Sequence, residues 1–569
     1  MTPDIGVLVG GEAGQGIQTV GLLMARTCHR AGLYIMMVND FESRIRGGHS
    51  FIQLRISDRP VLAPSPTHHL MVALDEKTYG RHRADLANGG LALIPGDVAG
   101  KATAHHERHW VDFEALAKSA GGRIMANTVA AGACLALLGA PLALFEEELE
   151  STFGALGEDR LAQNVLAARC GYDAVSDKTF KWAWQWETRA PKGRLIDGAR
   201  AAALGALAGD CRFSAFYPMS PATGIIQALV ELAPTMPLVV EQAEDEIAAV
   251  NMVIGAAFAG VRAMTATSGG GFCLMTEGLG LAAITETPVV IINAQRPGPA
   301  TGLPTRTAQA DLQFVIHASQ DEFPRFVFAP GTPYEAYETV ARAFELTDRF
   351  QVPAIILMDQ YLNDSLFIAE EAFEAPEAVT AFTATDDDLD DPAHYRRFAL
   401  TDSGISPRAL PCQGRALVSV CSDEHDERGH ITEEADIRDA MVAKRFAKLE
   451  AMARKIRPPE VIHGGSDVML VSWGSTRGAI REAVTLLRAG GIDCGGVHVA
   501  ELWPFPDSAM TDILEQAGKF IVVEQNQTAQ LGQLIRQQTG HRYTGSVLKT
   551  NGRPITAEDI TNAVKTQLQ

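Results

Sequence analysis

The stretch that decides the fold is EQAEDEIAAVNMVIGAAFAGVRAMTATSGGG, residues 241–271. Glu244, Asp245 and Glu246 precede an apolar run of helical length, and acids are favoured in a first helical turn because the helix dipole is positive there. A solvated first turn explains the charges but not the small residues at 255–260. Small side chains permit close approach of another backbone or a cofactor. The stretch therefore predicts a helix that opens on acids, then a strand and a glycine turn.

Apolar strands and helical segments alternate on both sides of this stretch. The first block, to about residue 180, contains IGVLVG, YIMMV, HHLMVALD, GLALIP and GRIMANT as strands. The second contains PLVVEQ, VRAMTAT, PVVIINA and PAIILMD, and the third, from residue 466, contains DVMLVSWGS, CGGVHVAEL and KFIVVEQN. Between the last two lies an acidic segment rich in turn formers, which predicts a linker over the surface. The alternation is typical of parallel α/β sheets.

Composition excludes several classes of protein. With 569 residues, 46% of them hydrophobic, the chain is long enough for several soluble globular domains. A formal charge of −20 argues against nucleic acid or an anionic membrane as the main partner. We find neither an N-terminal secretion signal nor a run of about 20 apolar residues, so a cytoplasmic location is expected. The eight cysteines form no CxxC pair, and His425, Asp426 and His430 fit no usual zinc spacing, so no metal site is expected.

The first block opens on a strand and a glycine loop, VLVGGEAGQG. Gly10, Gly11, Gly14 and Gly16 are spaced GGxxGxG, whereas the nicotinamide fingerprint is GxGxxG. Asp40 does lie at a suitable distance downstream to bind a ribose. A tight strand-to-helix turn needs glycine for steric reasons alone, however, and the helix after it binds any phosphate or none. A nicotinamide site is disfavoured, and the loop remains a candidate phosphate site.

Two loops of the second block carry a candidate carboxylate clamp. YPMSP, at 217–221, is a proline-stiffened loop before a helix, and Arg296 follows the strand PVVIINA in a loop rich in proline and glycine. A hydroxyl at a helix N-terminus and a guanidinium at a strand end can together bind a carboxylate, which Arg holds bidentately. Taken singly, Ser220 is more often a plain N-cap and Arg296 a surface residue.

Together these motifs resemble a known family. The YP-x-[ST]-P loop, the nine-residue spacing from Glu246 to the GAA of the helix, and then TSGGGFCLMTEGLGLA, TETPVVI and RPGPATGLPT resemble the alpha subunit of 2-oxoacid:ferredoxin (acceptor) oxidoreductases. The first block is similar to the family's gamma part in GGEAGQG, in RIRGG at 44–48 and in NTVAAGACLALLG at 127–139. The resemblance covers essentially the whole chain, with two departures: Ser220 stands where the family often has Thr, and Gly271 extends the serine–glycine turn.

The resemblance implies the fold and the site residues. It implies an α/β multidomain chain with a Rossmann-like gamma domain at 1–185, a thiamine-diphosphate-binding pyrimidine (Pyr) domain at 197–375, an acidic connector at 376–465 and a transketolase C-terminal-like domain at 466–569. Glu246 is the expected catalytic residue, because in the family a buried glutamate hydrogen-bonds the aminopyrimidine ring and promotes its imino tautomer. The resemblance assigns substrate binding to Ser220, Arg296 and Thr305, cofactor binding to Glu246, Tyr217 and Pro218, and a coenzyme A or phosphate loop to Gly11, Gly14 and Gly16.

Two motifs of the complete enzyme are missing from the chain. It contains no GDG followed by Asn, which announces Mg²⁺ and the diphosphate, and no cysteine set for a [4Fe–4S] cluster. In the family both belong to the beta subunit, so the resemblance implies a shared thiamine diphosphate site, a beta partner that carries Mg²⁺ and the cluster, ferredoxin as acceptor, and a dimer of heterodimers.

The expected reaction is the oxidative decarboxylation of a 2-oxoacid with coenzyme A, and the motifs lean towards 2-oxoglutarate. Pyruvate or a branched-chain 2-oxoacid remains an alternative substrate. Another transketolase-type thiamine enzyme is an alternative that the N-terminal block disfavours. A non-catalytic assembly subunit is a further alternative, against which Glu246, Ser220 and Arg296 weigh.

Overall fold

The computed structural model describes residues 4–12, 14–43, 48–95, 107–177, 186, 190–375, 379–391 and 394–569. The chain forms two compact units. The first unit comprises Met1–Ile196, Ser365–Ala372 and Thr556–Asp559, and the second comprises Asp197–Asp364, Phe373–Ile555 and Ile560–Gln569. No helix in the described part of the chain is both long enough and apolar enough to cross a membrane.

Strands and helices alternate through most of the described chain. The strands are β1 Asp4–Glu12, β2 Tyr34–Phe41, β3 His49–Ser57, β4 His68–Ala73, β5 Leu86–Ile94, β6 Glu107–Trp110, β7 Arg194–Asp197, β8 Phe213–Phe216, β9 Val239–Gln242, β10 Ala263–Thr267, β11 Val290–Gln295, β12 Phe326–Phe328, β13 Ala354–Asp359, β14 Leu366–Ala369, β15 Glu460–Ile462, β16 Val468–Trp473, β17 Cys494–Val499, β18 Glu501–Trp503, β19 Lys519–Glu524 and β20 Gly545–Leu548. The helices are α1 Ile17–Arg30, α2 Glu76–His82, α3 Phe113–Ser119, α4 Ala126–Leu137, α5 Leu142–Phe153, α6 Glu158–Asp173, α7 Gly198–Ala208, α8 Thr223–Leu232, α9 Glu246–Phe258, α10 Gly269–Ile284, α11 Leu312–Ile316, α12 Pro333–Phe350, α13 Gln360–Asp364, α14 Ala435–Ala453, α15 Arg477–Ala489, α16 Asp507–Glu515, α17 Gln530–Thr539 and α18 Ala557–Leu568.

The sheet of the first unit is mixed, not parallel as the sequence predicts. Its strand order within the described chain is β6-β5-β4-β1-β3-β2-β14-β7. β1 pairs in parallel with β4 but antiparallel with β3, which is also antiparallel to β2. The connection from β2 to β3 explains the difference, because it runs only from Phe41 to His49 and is too short for a helical crossover.

Two further expectations for this part of the chain are wrong. GRIMANT, expected as a strand, forms a short 3-10 turn at Arg123–Met125 and the beginning of α4. Gly121 and Gly122 have positive φ angles of 123° and 139°, which end the preceding helix and favour a turn. Residues 365–372, which the sequence places in the second block, belong to the first unit, where β14 pairs antiparallel with β2.

The second unit contains two sheets. In the first, the described strands follow the order β18-β12-β13-β11-β10-β8-β9, and all the pairs from β12 to β9 are parallel. In the second, the order is β15-β17-β16-β19-β20. The central strands β10, β11, β13 and β16 are buried along their whole length, as expected for sheets covered on both faces. The carboxyl ends of β8, β10 and β11 therefore meet at one edge.

The connector at 376–465 contains a helix that the sequence did not reveal, α14, and its inner face carries buried charge. Lys444 Nζ donates to both carboxylate oxygens of Glu286, at 2.6 and 2.9 Å, and Lys448 Nζ donates to Glu286 Oε2 at 2.6 Å. Arg397, also in the connector, donates to the Glu286 carbonyl at 2.8 Å. All four side chains are buried. Within the second unit, the contacts of Lys444, Lys448 and Arg397 with Glu286 thus fasten the acidic connector to the segment that follows α10.

His425, which the sequence offered as a weak metal candidate, packs against an aromatic ring and a backbone carbonyl. Its ring lies 4.0 Å from the ring of Phe398, and its Nδ1 is 3.0 Å from the carbonyl oxygen of Asp423. The side chain is buried, and burial lowers its pKa. Asp426 instead accepts backbone N–H bonds from Arg428 and His430 within the connector turn.

Candidate functional site

Glu246 is a buried carboxylate at the beginning of α9. Asp245 caps the helix, with its side chain accepting a 2.8 Å bond from the N–H of Ala248. Glu246 therefore does not serve as the cap, and it is only 3% exposed. Its Oε1 is buried without a hydrogen-bond partner among the described residues. Because a buried carboxylate oxygen is costly to leave unpaired, this atom marks the place where a ligand donor belongs.

The absence of a side chain at Gly271 leaves room for the Glu246 carboxylate. It lies in the first turn of α10, and a Cβ at this position would stand 2.4 Å from Glu246 Oε1 and 2.1 Å from Thr267 Oγ1. Any side chain would displace one of these atoms. The third glycine of TSGGG, which departs from the family's turn, is therefore required by the close approach of α10 to Glu246.

The outer surface of α9 is open at one of its small residues. Gly255 is exposed, and a Cβ there would meet no atom within 4 Å. Ile247 and Met252, on the same helix, are 50% and 39% exposed, and Leu274 of α10 is 49% exposed. These helices thus present an apolar surface to solvent beside the buried carboxylate.

The structure brings Ser220 and Arg296 together. The YPMSP loop follows β8 and Arg296 follows β11, so both lie at the carboxyl edge of the parallel sheet. Arg296 Nη1 donates to the backbone oxygen of Ser220 at 2.7 Å. Burial lowers the pKa of the half-buried guanidinium. A bond to a backbone carbonyl leaves the positive charge unneutralised, so Arg296 retains its capacity to bind an anion.

Ser220 is not a helix cap. α8 begins at Thr223, its N-cap is Ala222, and Ser220 lies exposed in the preceding turn. Tyr217 and Pro218 are also exposed, whereas the sulfur of Met219, between them and Ser220, lies 4.0 Å from Thr267 Oγ1. Since Thr267 also borders Gly271, Met219 links the YPMSP loop to the surroundings of Glu246.

Thr305 is buried and accepts hydrogen bonds from its neighbour Arg306. It is 7% exposed, and its hydroxyl and carbonyl oxygens accept bonds from Arg306 Nη1 at 3.3 and 2.9 Å. It therefore lies inside the loop that begins at Arg296. A direct role in binding substrate stays a prediction for Thr305, as it does for Ser220 and Arg296.

Asp311 is a polar neighbour of the site that the sequence did not reveal. Its Oδ2 accepts a 3.1 Å bond from Asn293 and lies 2.7 Å from the position of a Cβ on Gly269, at the N-terminus of α10. Burial raises the pKa of the Asp311 carboxyl. Asn293 lies within the strand IINA, and a polar residue inside an otherwise apolar buried strand was the signal in the sequence.

The glycine loop of the first unit borders a cavity of about 410 Å³. Gly14 and Gly16 line it, with positive φ angles of 94° and 70°, and α1 begins directly after Gly16. Asp40 and Glu42 also line it. Gly11 belongs to β1, where a Cβ would stand 2.3 Å from Gln15 Oε1. Residues 44–47, four of the five in the RIRGG motif, lie outside the described residues.

The fold and site define an α/β protein whose candidate ligand site lies at the carboxyl ends of a parallel sheet, with a buried glutamate and an arginine at its edge. Comparisons with known proteins specify the family. Residues 204–444 match the family "Pyruvate flavodoxin/ferredoxin oxidoreductase, thiamine diP-bdg", residues 6–174 match "Pyruvate ferredoxin/flavodoxin oxidoreductase", and residues 466–560 match "Pyruvate:ferredoxin oxidoreductase core domain II".

Individual relatives belong to the same family. The chain is 32% identical to the 2-oxoacid:ferredoxin oxidoreductase alpha subunit of a Sulfolobus species, over 98% of this chain and 96% of the relative. It is 31% identical to the 2-oxoglutarate synthase subunit KorA of Methanothermobacter thermautotrophicus, over 65% of this chain and 97% of the relative. A 2-oxoglutarate:ferredoxin oxidoreductase from Magnetococcus marinus, solved with 2-oxoglutarate, coenzyme A and succinyl-CoA bound, superposes with a TM-score of 0.92 at 30% identity over the whole of both chains.

The chain therefore belongs to the 2-oxoacid:ferredoxin oxidoreductase family, as an alpha subunit. It is an oxidoreductase subunit with a thiamine-diphosphate-binding domain, as the sequence predicts. The similarity covers the N-terminal block as well as the two that follow it.

Proposed function

We propose that this chain provides half of the active site of an enzyme that converts 2-oxoglutarate and coenzyme A to succinyl-CoA and CO₂. Two electrons pass to two oxidised ferredoxins, and one proton is released. The observation that carries the proposal is Glu246, whose buried Oε1 has no partner among the described residues. This atom fits a donor on the aminopyrimidine ring of thiamine diphosphate, because the ring then satisfies an otherwise unpaired carboxylate oxygen.

Some residues of the site are assigned to the cofactor and others to the substrate. When bound, thiamine diphosphate supplies a nucleophilic carbon and an electron sink for decarboxylation. Glu246 would hold the pyrimidine ring and exchange a proton at its carboxylate oxygen, and Tyr217 and Pro218, exposed in the YPMSP loop, would help to hold the cofactor. Arg296 binds the carboxylate of the 2-oxoacid and Ser220 lies next to it, so the substrate is oriented before reaction.

Two relatives favour 2-oxoglutarate as the substrate. The Methanothermobacter relative is named for 2-oxoglutarate, and the Magnetococcus enzyme was solved with 2-oxoglutarate bound. Pyruvate and branched-chain 2-oxoacids are the alternatives that the assay below must compare. The cytoplasmic location stays a prediction from the sequence.

A beta subunit completes the proposed active site. We expect it to supply Mg²⁺, the diphosphate contacts and the [4Fe–4S] cluster, in a dimer of heterodimers. The apolar surface beside Glu246 supports this partner, since Ile247, Met252 and Leu274 are exposed there and clustered exposed apolar side chains mark protein interfaces. Coenzyme A is assigned to the cavity at Gly14 and Gly16, where first-turn N–H groups of α1 favour phosphate.

Reconstitution tests the proposal. The purified chain should be colourless and should not reduce a viologen dye with thiamine diphosphate, Mg²⁺, 2-oxoglutarate and coenzyme A. Adding the beta subunit should start dye reduction, and parallel reactions with pyruvate and a branched-chain 2-oxoacid give the substrate preference. Steady dye reduction by the chain alone would refute the shared site, whereas preference for another 2-oxoacid would refute the substrate assignment.

A further inference from the structure

The loop that begins at Arg296 is closed at its base. Gln295, the last residue of β11, accepts a 3.1 Å bond on its Oε1 from the N–H of Asp311 and donates through Nε2 to the Met358 carbonyl at 3.3 Å. Gln295 is 1% exposed. The two ends of residues 296–310 are thus fastened to each other and to the neighbouring strand β13, and the intervening segment projects as one compact loop. We call residues 296–310 the arginine loop.

Gln309 also fastens the arginine loop to the ends of strands in the five-stranded sheet. Gln309 is fully buried, and its side-chain amide both donates and accepts a hydrogen bond. Its Nε2 donates to the Trp473 carbonyl at 2.6 Å, and its Oε1 accepts from the N–H of Gln525 at 3.1 Å. Its N–H donates to the Gln525 carbonyl at 2.8 Å, and its carbonyl accepts from Asn526 Nδ2 at 2.9 Å. One residue of the loop thus forms four hydrogen bonds with the five-stranded sheet.

The partners of Gln309 lie at the carboxyl ends of two neighbouring strands of that sheet. Trp473 ends β16, and Gln525 and Asn526 directly follow β19, which pairs with β16 in parallel. Asn526 Nδ2 also donates to Glu524 Oε2 at 2.8 Å, and Trp473 Nε1 donates to the same oxygen at 3.0 Å. Trp473 and Asn526 are therefore also held by buried hydrogen bonds to Glu524 that do not involve the loop.

We infer that Gln309 is a positioning residue, through which the transketolase C-terminal-like domain holds Arg296 in the geometry that binds the 2-oxoacid carboxylate. The inference rests on the proposed role of Arg296. The bond from Arg296 to the Ser220 carbonyl holds the loop's beginning, and Gln295 fastens its base to β13. Gln309 adds four hydrogen bonds to the third domain, beside a 2.7 Å bond from Gln530 to the Ala310 carbonyl, and the third domain thereby contributes to substrate affinity without touching substrate.

The test compares Gln309→Met with a matched control, Gln351→Met. Methionine has about the length of glutamine but neither donates nor accepts strongly. Gln351 is also buried in the second unit and donates to the Ser406 carbonyl at 2.7 Å, but it precedes β13 and so lies at the opposite edge of the sheet from Arg296. Both variants should lose stability, and only Gln309→Met should affect the arginine loop.

Two readouts decide the inference. In the isolated chain, amide hydrogen exchange within 296–310 should become at least about tenfold faster in Gln309→Met and stay unchanged in Gln351→Met. In the complex with the beta subunit, Gln309→Met should raise the KM for 2-oxoglutarate about tenfold and leave the KM for coenzyme A unchanged, because misplacement of a positioning group by about 1 Å costs up to a hundredfold.

The outcomes separate this inference from the proposed function. Unchanged exchange in the arginine loop would overturn the inference, and so would faster exchange with an unaltered KM for the 2-oxoacid in an active complex. An equal rise in both KM values, or the same effect in Gln351→Met, would show a merely structural role and would also overturn it. A wild-type complex that does not use any 2-oxoacid would instead refute the proposed function, and the exchange result would still decide whether Gln309 holds the loop.

Discussion

Removing the carboxylate of Glu286 should destabilise the second unit strongly. Glu286→Gln leaves Lys444 and Lys448 buried, each with its Nζ deprived of the charge that it contacts at 2.6 Å. Breaking a buried ion pair from one side costs about 3–5 kcal/mol, because the remaining charge is uncompensated. For a unit of roughly 360 residues, an unfolding entropy of about 2.1 cal/mol/K per residue converts this loss into a fall in Tm of about 4–7 °C.

The pH dependence of this effect follows from the charges around Glu286. Burial alone would raise the pKa of Glu286, but Lys448 and Lys444 outweigh it and hold the pKa well below its usual range. A depressed carboxyl pKa contributes stability above the unfolded value, which is lost as the pH falls through the folded value. Burial lowers the pKa of Lys448 to about 8. Glu286 raises the pKa of Lys448 against this burial, so in Glu286→Gln the pKa of Lys448 should fall further, and the loss of stability should shrink as the pH rises.

The assay is urea or thermal unfolding at pH 6, with two comparisons. Glu345→Gln is the matched control, because it removes an exposed carboxylate that pairs with Arg349 at 2.8 Å and should cost at most about 1 kcal/mol. In the double variant Glu286→Gln/Lys448→Met, removal of the uncompensated charge should recover part of the loss. A loss below about 1 kcal/mol in Glu286→Gln, or no recovery in the double variant, would refute the reasoning.

Two other perturbations test the site and the sheet next to it. Arg296→Ala should lower kcat/KM for the 2-oxoacid about ten- to a hundredfold, because a charged hydrogen bond contributes roughly 1.5–3 kcal/mol. The control Arg200→Ala, which removes an exposed ion pair with Glu231, should leave kcat/KM unchanged. An altered response to coenzyme A alone would place Arg296 in the other substrate's site. Burial raises the pKa of Asp359 to about 6, although its bond from Ser475 opposes the rise, so the folded chain should lose up to about 3 kcal/mol as the pH increases from 4 to above 6. Asp359→Asn should remove this loss, and an equal fall in Tm from pH 5 to 8 in both proteins would contradict the assignment.

Much of the second unit could be predicted from the sequence because its signals are local. A capped helix after acids, apolar strands of full burial and glycine turns each specify their own conformation, and the expected strands β9, β10, β11 and β13 are present. The same local patterns placed Ser220 and Arg296 at one sheet edge. They also assigned Glu246 its position at the beginning of α9.

Features that depend on distant contacts could not be predicted. The direction of β3 depends on pairing with β1, and the position of β14 depends on a partner far along the chain. Lysines in an acidic, turn-rich connector indicate a solvated surface, and only the packing of α14 on Glu286 shows that Lys444 and Lys448 are buried. Similarly, the requirement for Gly271 becomes visible only when α10 lies against Glu246.

The most direct test of the account is the exchange of the thiazolium C2 hydrogen in the complex with the beta subunit. Glu246→Gln should fold and assemble normally but slow this exchange and abolish most turnover, because the amide cannot exchange a proton with the pyrimidine ring. Glu244→Gln, two residues earlier and exposed, is the control and should exchange at the normal rate. Near-normal C2 hydrogen exchange in the Glu246→Gln complex would contradict the central claim that this chain supplies the cofactor's glutamate.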